Sequence, residues 1–315
     1  MPMSELVCPA CGRTGFDLCE SVDVREQHKL YAPDDLQAQE NLNSAAAETS
    51  LTYQMHRCRN CRLEFGQPLS APNSTWYHYA YRALTLYPHS RWEFHEVIRH
   101  IQPNQTIFEF GCGSGSFLIC CKEQGVAASG IDFSQDAVDH CRTLGLSAEQ
   151  VDLNENPAGA DAERFPHMVA FHVLEHLDRP SILFESAAAR ATPGAHFWIS
   201  VPSDRRPTRY YKTRDFLDQP PHHMSRWTPE AFEEIGKRFG WRLAETLYEP
   251  ISLRSAVWSI SVFSTGYRRW KEAGRFQNPG LEKFYRAASM PTALLRRVTV
   301  DQRISGFSML AHFVR

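Results

Sequence analysis

Ile107-Phe108-Glu109-Phe110-Gly111-Cys112-Gly113-Ser114-Gly115-Ser116-Phe117 runs from an apolar strand into a glycine-rich turn and on into a helix. About twenty residues later Gly130-Ile131-Asp132 closes a second strand on a carboxylate. That order builds a nucleotide-type cofactor site at the carboxyl end of a parallel sheet. The details choose between cofactors. A dinucleotide fingerprint needs a third glycine where Ser116 stands. Here the pattern is acid-x-G-x-G-x-G, with Glu109 two residues before the first glycine.

The loop's chemistry follows from what it must hold. A pyrophosphate wants bare backbone amides at a helix N-terminus. S-adenosylmethionine has no phosphate and carries an ammonium, a carboxylate and a sulfonium. Gly111, Gly113 and Gly115 let the backbone approach a methionine arm, and Glu109 suits its ammonium. Asp132 is placed to accept both ribose hydroxyls.

Residues 106 to about 248 resemble a class I S-adenosylmethionine-dependent methyltransferase. Val169-Ala170-Phe171-His172-Val173-Leu174-Glu175-His176-Leu177 strengthens the likeness, being similar to the stretch after the fourth strand of many small-molecule members. The resemblance implies a doubly wound Rossmann-like sheet. It also implies that Glu109, Gly111, Gly113 and Gly115 surround the methionine moiety and that Asp132 binds ribose. Phe133 would pack on the adenine and Asp152 would reach its amino group. His172 joins this cofactor-binding set.

Strands are expected near 106–110, 127–131, 147–151, 167–171 and 195–201, alternating with helices near 114–124, 134–144 and 179–191. A further helix, 229–239, starts with Thr228 as N-cap and Pro229 at its first position. Trp241–Tyr248 reads as a sixth strand and Gly306–Val314 as the last, antiparallel one. Between them, residues 251–304 read as a basic, mostly helical insertion. From 251 to 315 there are eleven Lys or Arg against three acids. The surplus suits an acidic acceptor such as a nucleotide-linked sugar, or simply a solvated face.

Cys8-Pro9-Ala10-Cys11 and Cys58-Arg59-Asn60-Cys61 are two C-x-x-C knuckles. Four thiolates from two such turns suit tetrahedral Zn2+ with no open position, hence a structural, zinc-ribbon-like module over residues 1–70. Residues 33–50 read as an acidic, alanine-rich insertion hung between the knuckles. Residues 71–103 form an aromatic linker and a helix. Its Trp76, Tyr77, Tyr79, Tyr81 and Tyr87 either glue the module to the main domain, 104–315, or line the substrate pocket.

A net charge of −2 over 315 residues argues against nucleic acid as the partner of the whole chain. No secretory signal is expected after Met1, and the longest uncharged stretch near the C-terminus, Ser255–Tyr267, is too short to span a bilayer. Nine cysteines, four in metal-like spacing, fit a reducing cytoplasm.

Methyl transfer needs an aligned nucleophile and, for many acceptors, a base. His172, His176, His222 and His223 all fall past strand ends on the cofactor side. The loop Pro220-Pro221-His222-His223-Met224-Ser225-Arg226-Trp227-Thr228 resembles a Y-H-E-H-L-S-Y-F-S stretch of zinc-bearing sugar C-methyltransferases. By that match His223 is the base and His176 a second active-site residue. Pro220, Pro221 and His222 depart from the pattern, and the active-site glutamate is replaced by His222. The reading is methyl transfer from S-adenosylmethionine to a small polar metabolite of the sugar class. An RNA methyltransferase is the alternative enzyme, but no Asn/Asp-Pro-Pro-aromatic turn follows the fourth strand. A non-enzymatic zinc-organised binding protein would not need the intact glycine run.

Overall fold

The computed structural model describes residues 6–32, 34–83, 90–153, 163–210, 215–251, 288 and 304–315. The chain opens with β1 (Phe16–Asp23), α1 (Val24–Tyr31), α2 (Leu36–Ala47), β2 (Thr52–Cys58), β3 (Glu64–Gln67), α3 (Ser74–Ala83) and α4 (Trp92–Ile98). It continues through β4 (Thr106–Phe110), α5 (Ser116–Glu123), β5 (Ala127–Asp132), α6 (Gln135–Thr143), β6 (Ser147–Gln150) and β7 (Phe165–Phe171). Then come α7 (Ser181–Arg190), β8 (Ala191–Pro202), α8 (Pro207–Tyr210), β9 (Ser225–Arg226), α9 (Pro229–Arg238), β10 (Arg242–Tyr248) and β11 (Ser308–Val314).

Seven strands form one sheet in the order β10-β11-β8-β7-β4-β5-β6, and β8, β7, β4, β5 and β6 run parallel. β7 (FPHMVAF) is almost wholly apolar because helices cover both faces of a central parallel strand. Local chemistry sets the helix starts. Ser134 Oγ accepts from the Ala137 amide before α6, and Thr228 Oγ1 from the Ala231 amide before Pro229 opens α9. The sequence places these elements within a few residues.

The N-terminal region differs from its expectation. β1, β2 and β3 form a second sheet whose fourth strand, β9, comes from the far end of the chain. The stretch expected as an insertion hung between the knuckles, 33–50, carries α2 and packs into the core with the segment before it. α1 and α2, capped by Asp23 and Asp35, bury Tyr31, Leu42, Ala45 and Ala46 against Tyr53, Met55, Trp76 and Met224. Each helix is short, so its apolar face is only three or four residues wide and reads poorly from the sequence.

The described chain divides into two compact units, Met1–Val201 with Phe216–Leu247 and Leu310–Arg315, and Pro202–Asp215 with Tyr248–Met309. In the second, Glu249 accepts from the Phe307 and Ser308 amides at 2.6 and 3.1 Å, and Ser203 bonds Ser305 at 2.6 Å. The basic insertion of 251–304 lies almost entirely outside the described residues. Among the described residues no helix is long and apolar enough to cross a membrane.

One row of histidines crosses the large sheet. His167 stacks on His196, and His196 on His312, both at 5.1 Å, while His312 lies flat on Trp198 at 3.6 Å. His196 Nδ1 and His312 Nε2 are 2.8 Å apart, and Glu245 flanks His312 at 3.3 Å. Burial, with neighbouring histidines adding to it, brings His167 down to about 4. Burial also brings His312 to about 4, although Glu245 opposes it. Their folded pKa values lie below the ordinary 6.5, so this stability is complete above pH 6.5 and drains as pH falls towards 4. Thermal melts are expected to lose on the order of a few kcal/mol across that window. His167→Gln should flatten the curve; an identical profile in the variant would exclude the row as its cause.

Candidate functional site

The glycine turn is held from both sides. Gly111 and Cys112 each donate an amide hydrogen bond to the Ile131 carbonyl, at 2.8 and 3.0 Å. Gly111 has φ +72°, and a Cβ there would sit 2.5 Å from Val173 Cγ2 in the turn after β7. Gly115 has φ +79° with Leu146 and Cys141 equally close, so neither position admits a side chain. Asp132 organises the loop directly. Its Oδ2 accepts from the Gly113 amide at 2.8 Å and its Oδ1 from the Ser134 amide at 2.9 Å. Burial raises the Asp132 pKa, and these amide bonds partly offset that. Each oxygen keeps a lone pair for another donor.

Glu109 lies under the turn, 3% exposed. Its Oε2 is buried and, among the described residues, has no hydrogen-bond partner. Burial and the nearby Asp132 carboxylate push its pKa well above the ordinary value. A cation would satisfy this group. Phe133, directly after Asp132, is 47% exposed, with the Tyr77 ring edge-on at 6.3 Å. Asp152 follows β6 and is exposed.

His172 has φ +55°, a conformation seldom taken by a non-glycine residue, and its ring is clamped between two carboxylates. Nδ1 lies 3.1 Å from Glu175 Oε1 and Nε2 3.1 Å from Glu93 Oε1. Burial opposes a charge on the imidazole, but the two carboxylates outweigh it and raise the His172 pKa. Against the same burial, His172 lowers Glu93 and brings Glu175 to about 2. Two carboxylates around one imidazolium leave a net negative charge, and the second oxygen of each glutamate is unpartnered among the described residues. With both nitrogens engaged, His172 is no candidate for a base.

The remaining three histidines converge. The 3-10 turn Leu174–His176 carries His176, and the loop before β9 carries His222 and His223. One ring nitrogen of each lies within 4.8 Å of one from both others. The loop is stitched down at both ends of Met224: its amide donates to the Glu175 carbonyl at 2.7 Å, and its carbonyl accepts from the Gly66 amide at 2.8 Å. The Met224 side chain is fully buried in the N-terminal core. Burial lowers His176 to about 4 and holds His222 far below the ordinary histidine range, so both are neutral. His176 Nδ1 donates to the His222 carbonyl at 2.7 Å, with the Tyr77 hydroxyl at 3.3 Å. His222 Nδ1 pairs with the Tyr31 hydroxyl at 2.9 Å, and His223 Nδ1 faces Asp218 Oδ1 at 3.4 Å. Behind them Arg226, nine-tenths buried, pairs with Glu20 at 2.8 Å and with Glu64 and Asp218 at 3.0 Å each.

The four knuckle cysteines form a second cluster, also within 4.8 Å. Cys8 Sγ is 3.5 Å from Cys61 Sγ, and Cys11 Sγ is 3.6 Å from Cys58 Sγ. Tetrahedral zinc at 2.3 Å sets sulfurs about 3.8 Å apart, so the thiols fit that ion. The turns match one another: Gly12 and Arg62, each following the second cysteine, both have positive φ. The hydrogen bond from Cys61 brings Cys8 to about 5, towards the thiolate that metal binding requires. His56 is a β2 residue whose ring meets Phe16 edge-on and Phe65 at a tilt.

Of the sequence-chosen residues, Glu109, Asp132 and Phe133 gather at the glycine turn, His176 and His223 cluster with His222, and the four cysteines come together, while His172 lies between Glu93 and Glu175 and Asp152 is exposed after β6. Sequence reasoning passed over Glu93, Tyr31 and Asp218. Glu93 carried a signal, an acid inside the apolar face that Phe94 and Val97 make on α4.

The sequence profile of a methyltransferase domain family matches residues 79–246. A ubiquinone biosynthesis O-methyltransferase of Hahella chejuensis is 30% identical over 104 residues, 31% of this chain and 44% of that protein. Its namesake in Hydrogenovibrio crunogenus is 28% identical over 116 residues, 35% and 48% of the respective chains. The chain therefore spans less than half the length of the curated relatives it matches. A SAM-dependent methyltransferase from Archaeoglobus fulgidus superposes with a TM-score of 0.45 at 18% identity, over 71% of this chain and 91% of that one.

Proposed function

The chain belongs to the methyltransferase-domain family, and on that premise we propose that it methylates a small polar metabolite, a sugar or nucleotide-linked sugar, from S-adenosylmethionine. The observation that carries the donor site is Glu109, a buried carboxylate with an unpartnered oxygen beneath the glycine turn. The donor's ammonium supplies what that oxygen lacks. Gly111, Gly113 and Gly115 give the methionine arm room, Asp132 offers its remaining lone pairs to the ribose, and Phe133 stacks on the adenine. Asp152 stands at the adenine's edge, and His172 with Glu93 and Glu175 adds negative potential towards a cation. The bound cofactor supplies a methyl group already activated on sulfur, so the protein's part is alignment and proton removal.

On the acceptor side we assign His223 and His176 as the side chains on which deprotonation depends. Asp218 and the His222 carbonyl hold Nδ1 of the two rings, which leaves the lone pair of each on Nε2. The sugar class is supported by the likeness of residues 220–228 to the sugar-methylating loop and by the polar groups gathered beside it, His176, His222, His223 and Tyr77. Cys8, Cys11, Cys58 and Cys61 would hold a structural zinc that fixes the two knuckles. Arg238 and Thr228 bond knuckle carbonyls of Pro9, Ala10 and Cys61, tying that module to α9.

Calorimetry with S-adenosylhomocysteine tests the donor site. Asp132→Ala should weaken binding about 100-fold, the worth of roughly 3 kcal/mol of charge-assisted hydrogen bonds. Affinity in the wild type should also rise with pH. The Glu109 pKa is high in the free protein, and an ammonium lowers it, so binding in that window releases a proton. Glu109→Gln should abolish the proton release. Unchanged affinity in Asp132→Ala would remove the assignment.

A further inference from the structure

We infer that His176, His222 and His223 together form a binding site for a divalent transition-metal ion, separate from the four-cysteine cluster. Three side chains from two segments bring one nitrogen each to within 4.8 Å of the others. Tetrahedral coordination at 2.0–2.1 Å places nitrogens about 3.4 Å apart, a closure within reach of small rotations about the Cβ–Cγ bonds. The hydrogen bonds fix which nitrogen would ligate. The His222 carbonyl and the Asp218 carboxylate can only accept, so Nδ1 of His176 and of His223 carries the proton and Nε2 the lone pair. Nδ1 of His222 lies 2.9 Å from the Tyr31 hydroxyl, which can donate or accept, so this ring is held through Nδ1 in either tautomer and ligates through Nε2 when the hydroxyl accepts. A backbone carbonyl, a carboxylate and a phenol on the outer nitrogens are the supports that orient metal-bound imidazoles. Burial keeps His176 and His222 neutral, which is the ligating form.

The departure of this loop from the sugar-methylating pattern gains a meaning here. His222 stands where that pattern has glutamate, and this exchange supplies the third imidazole. Three imidazoles suit zinc, iron(II), nickel or copper rather than magnesium or calcium. Three protein donors also leave a coordination position open, as in catalytic rather than structural centres. That position faces the acceptor only if the proposed methyl transfer is right; the binding of the ion does not depend on it.

Cobalt(II) is the probe, because thiolate ligands give an intense charge-transfer absorption that imidazoles do not. The full-length protein should take up one equivalent with that absorption and a second without it. His176→Gln and His222→Gln, singly and combined, should lose the second equivalent and keep the first, whose retained absorption reports an intact fold. Uptake that always carries thiolate absorption, or equal uptake in wild type and variants, would overturn the site. Cobalt uptake without S-adenosylhomocysteine binding would uphold it while sinking the proposed function. Cofactor binding and turnover with no second equivalent would do the reverse.

Discussion

His223→Ala is expected to lower methyl-transfer turnover by about 10²- to 10⁴-fold, the usual worth of a positioned proton-transfer group, with S-adenosylhomocysteine affinity unchanged. The separation follows from the architecture. His223 stands on the loop before β9, whereas Glu109, Gly113 and Asp132, proposed for the donor, stand on β4, the glycine turn and β5. Asp218, on the 3-10 turn Phe216–Asp218, orients the imidazole from behind. Asp218→Asn should therefore act in the same direction more weakly, through the loss of that orientation. Single-turnover assays at saturating cofactor give the comparison. Wild-type turnover in His223→Ala would remove it from the reaction.

Arg226→Ala is expected to cost about 3–5 kcal/mol of stability, the penalty for stranding buried charge. Its guanidinium is the shared counter-ion of Glu20 on β1, Glu64 on β3 and Asp218 beside His223. Burial alone would lower its pKa, but the three carboxylates raise it, so it stays charged. Removing it takes from Glu64 and Asp218, both buried, the cation they share. Arg57 still reaches Glu64 at 2.6 Å, which limits the damage on that side. Arg226→Lys should recover only part, since an ammonium cannot reproduce the fork that reaches three partners. Chemical denaturation measures both; an Arg226→Ala midpoint equal to wild type would show the network to be energetically idle. The same variant should slow turnover, because Asp218 loses its anchor.

The large sheet and the glycine turn with its flanking acids were legible because their determinants are local. Glu109, the three glycines and Asp132 span only 24 residues, and each helix carries its own cap. The cysteine pairs were legible for the same reason. What escaped depends on distant partners. His172 meets Glu93 across 79 positions, and Tyr31 meets His222 across 191. β9 is two residues long and becomes a strand only because β3 offers it an edge, so no periodicity announces it. In the aromatic linker Trp76 is wholly buried and donates to His28 at 2.9 Å, and the ring of its neighbour Tyr77 meets those of His176 and Phe133 edge-on, while Tyr87 lies outside the described residues.

Methyl transfer to a small polar acceptor is tested by supplying S-adenosylmethionine labelled in its methyl group, with the purified protein, to a fractionated extract of the organism's own cells. The expected result is label in the small-molecule, nucleotide-sugar fraction, resistant to nuclease and lost with Asp132→Ala. Label confined to nuclease-sensitive material would contradict it and make the chain an RNA methyltransferase.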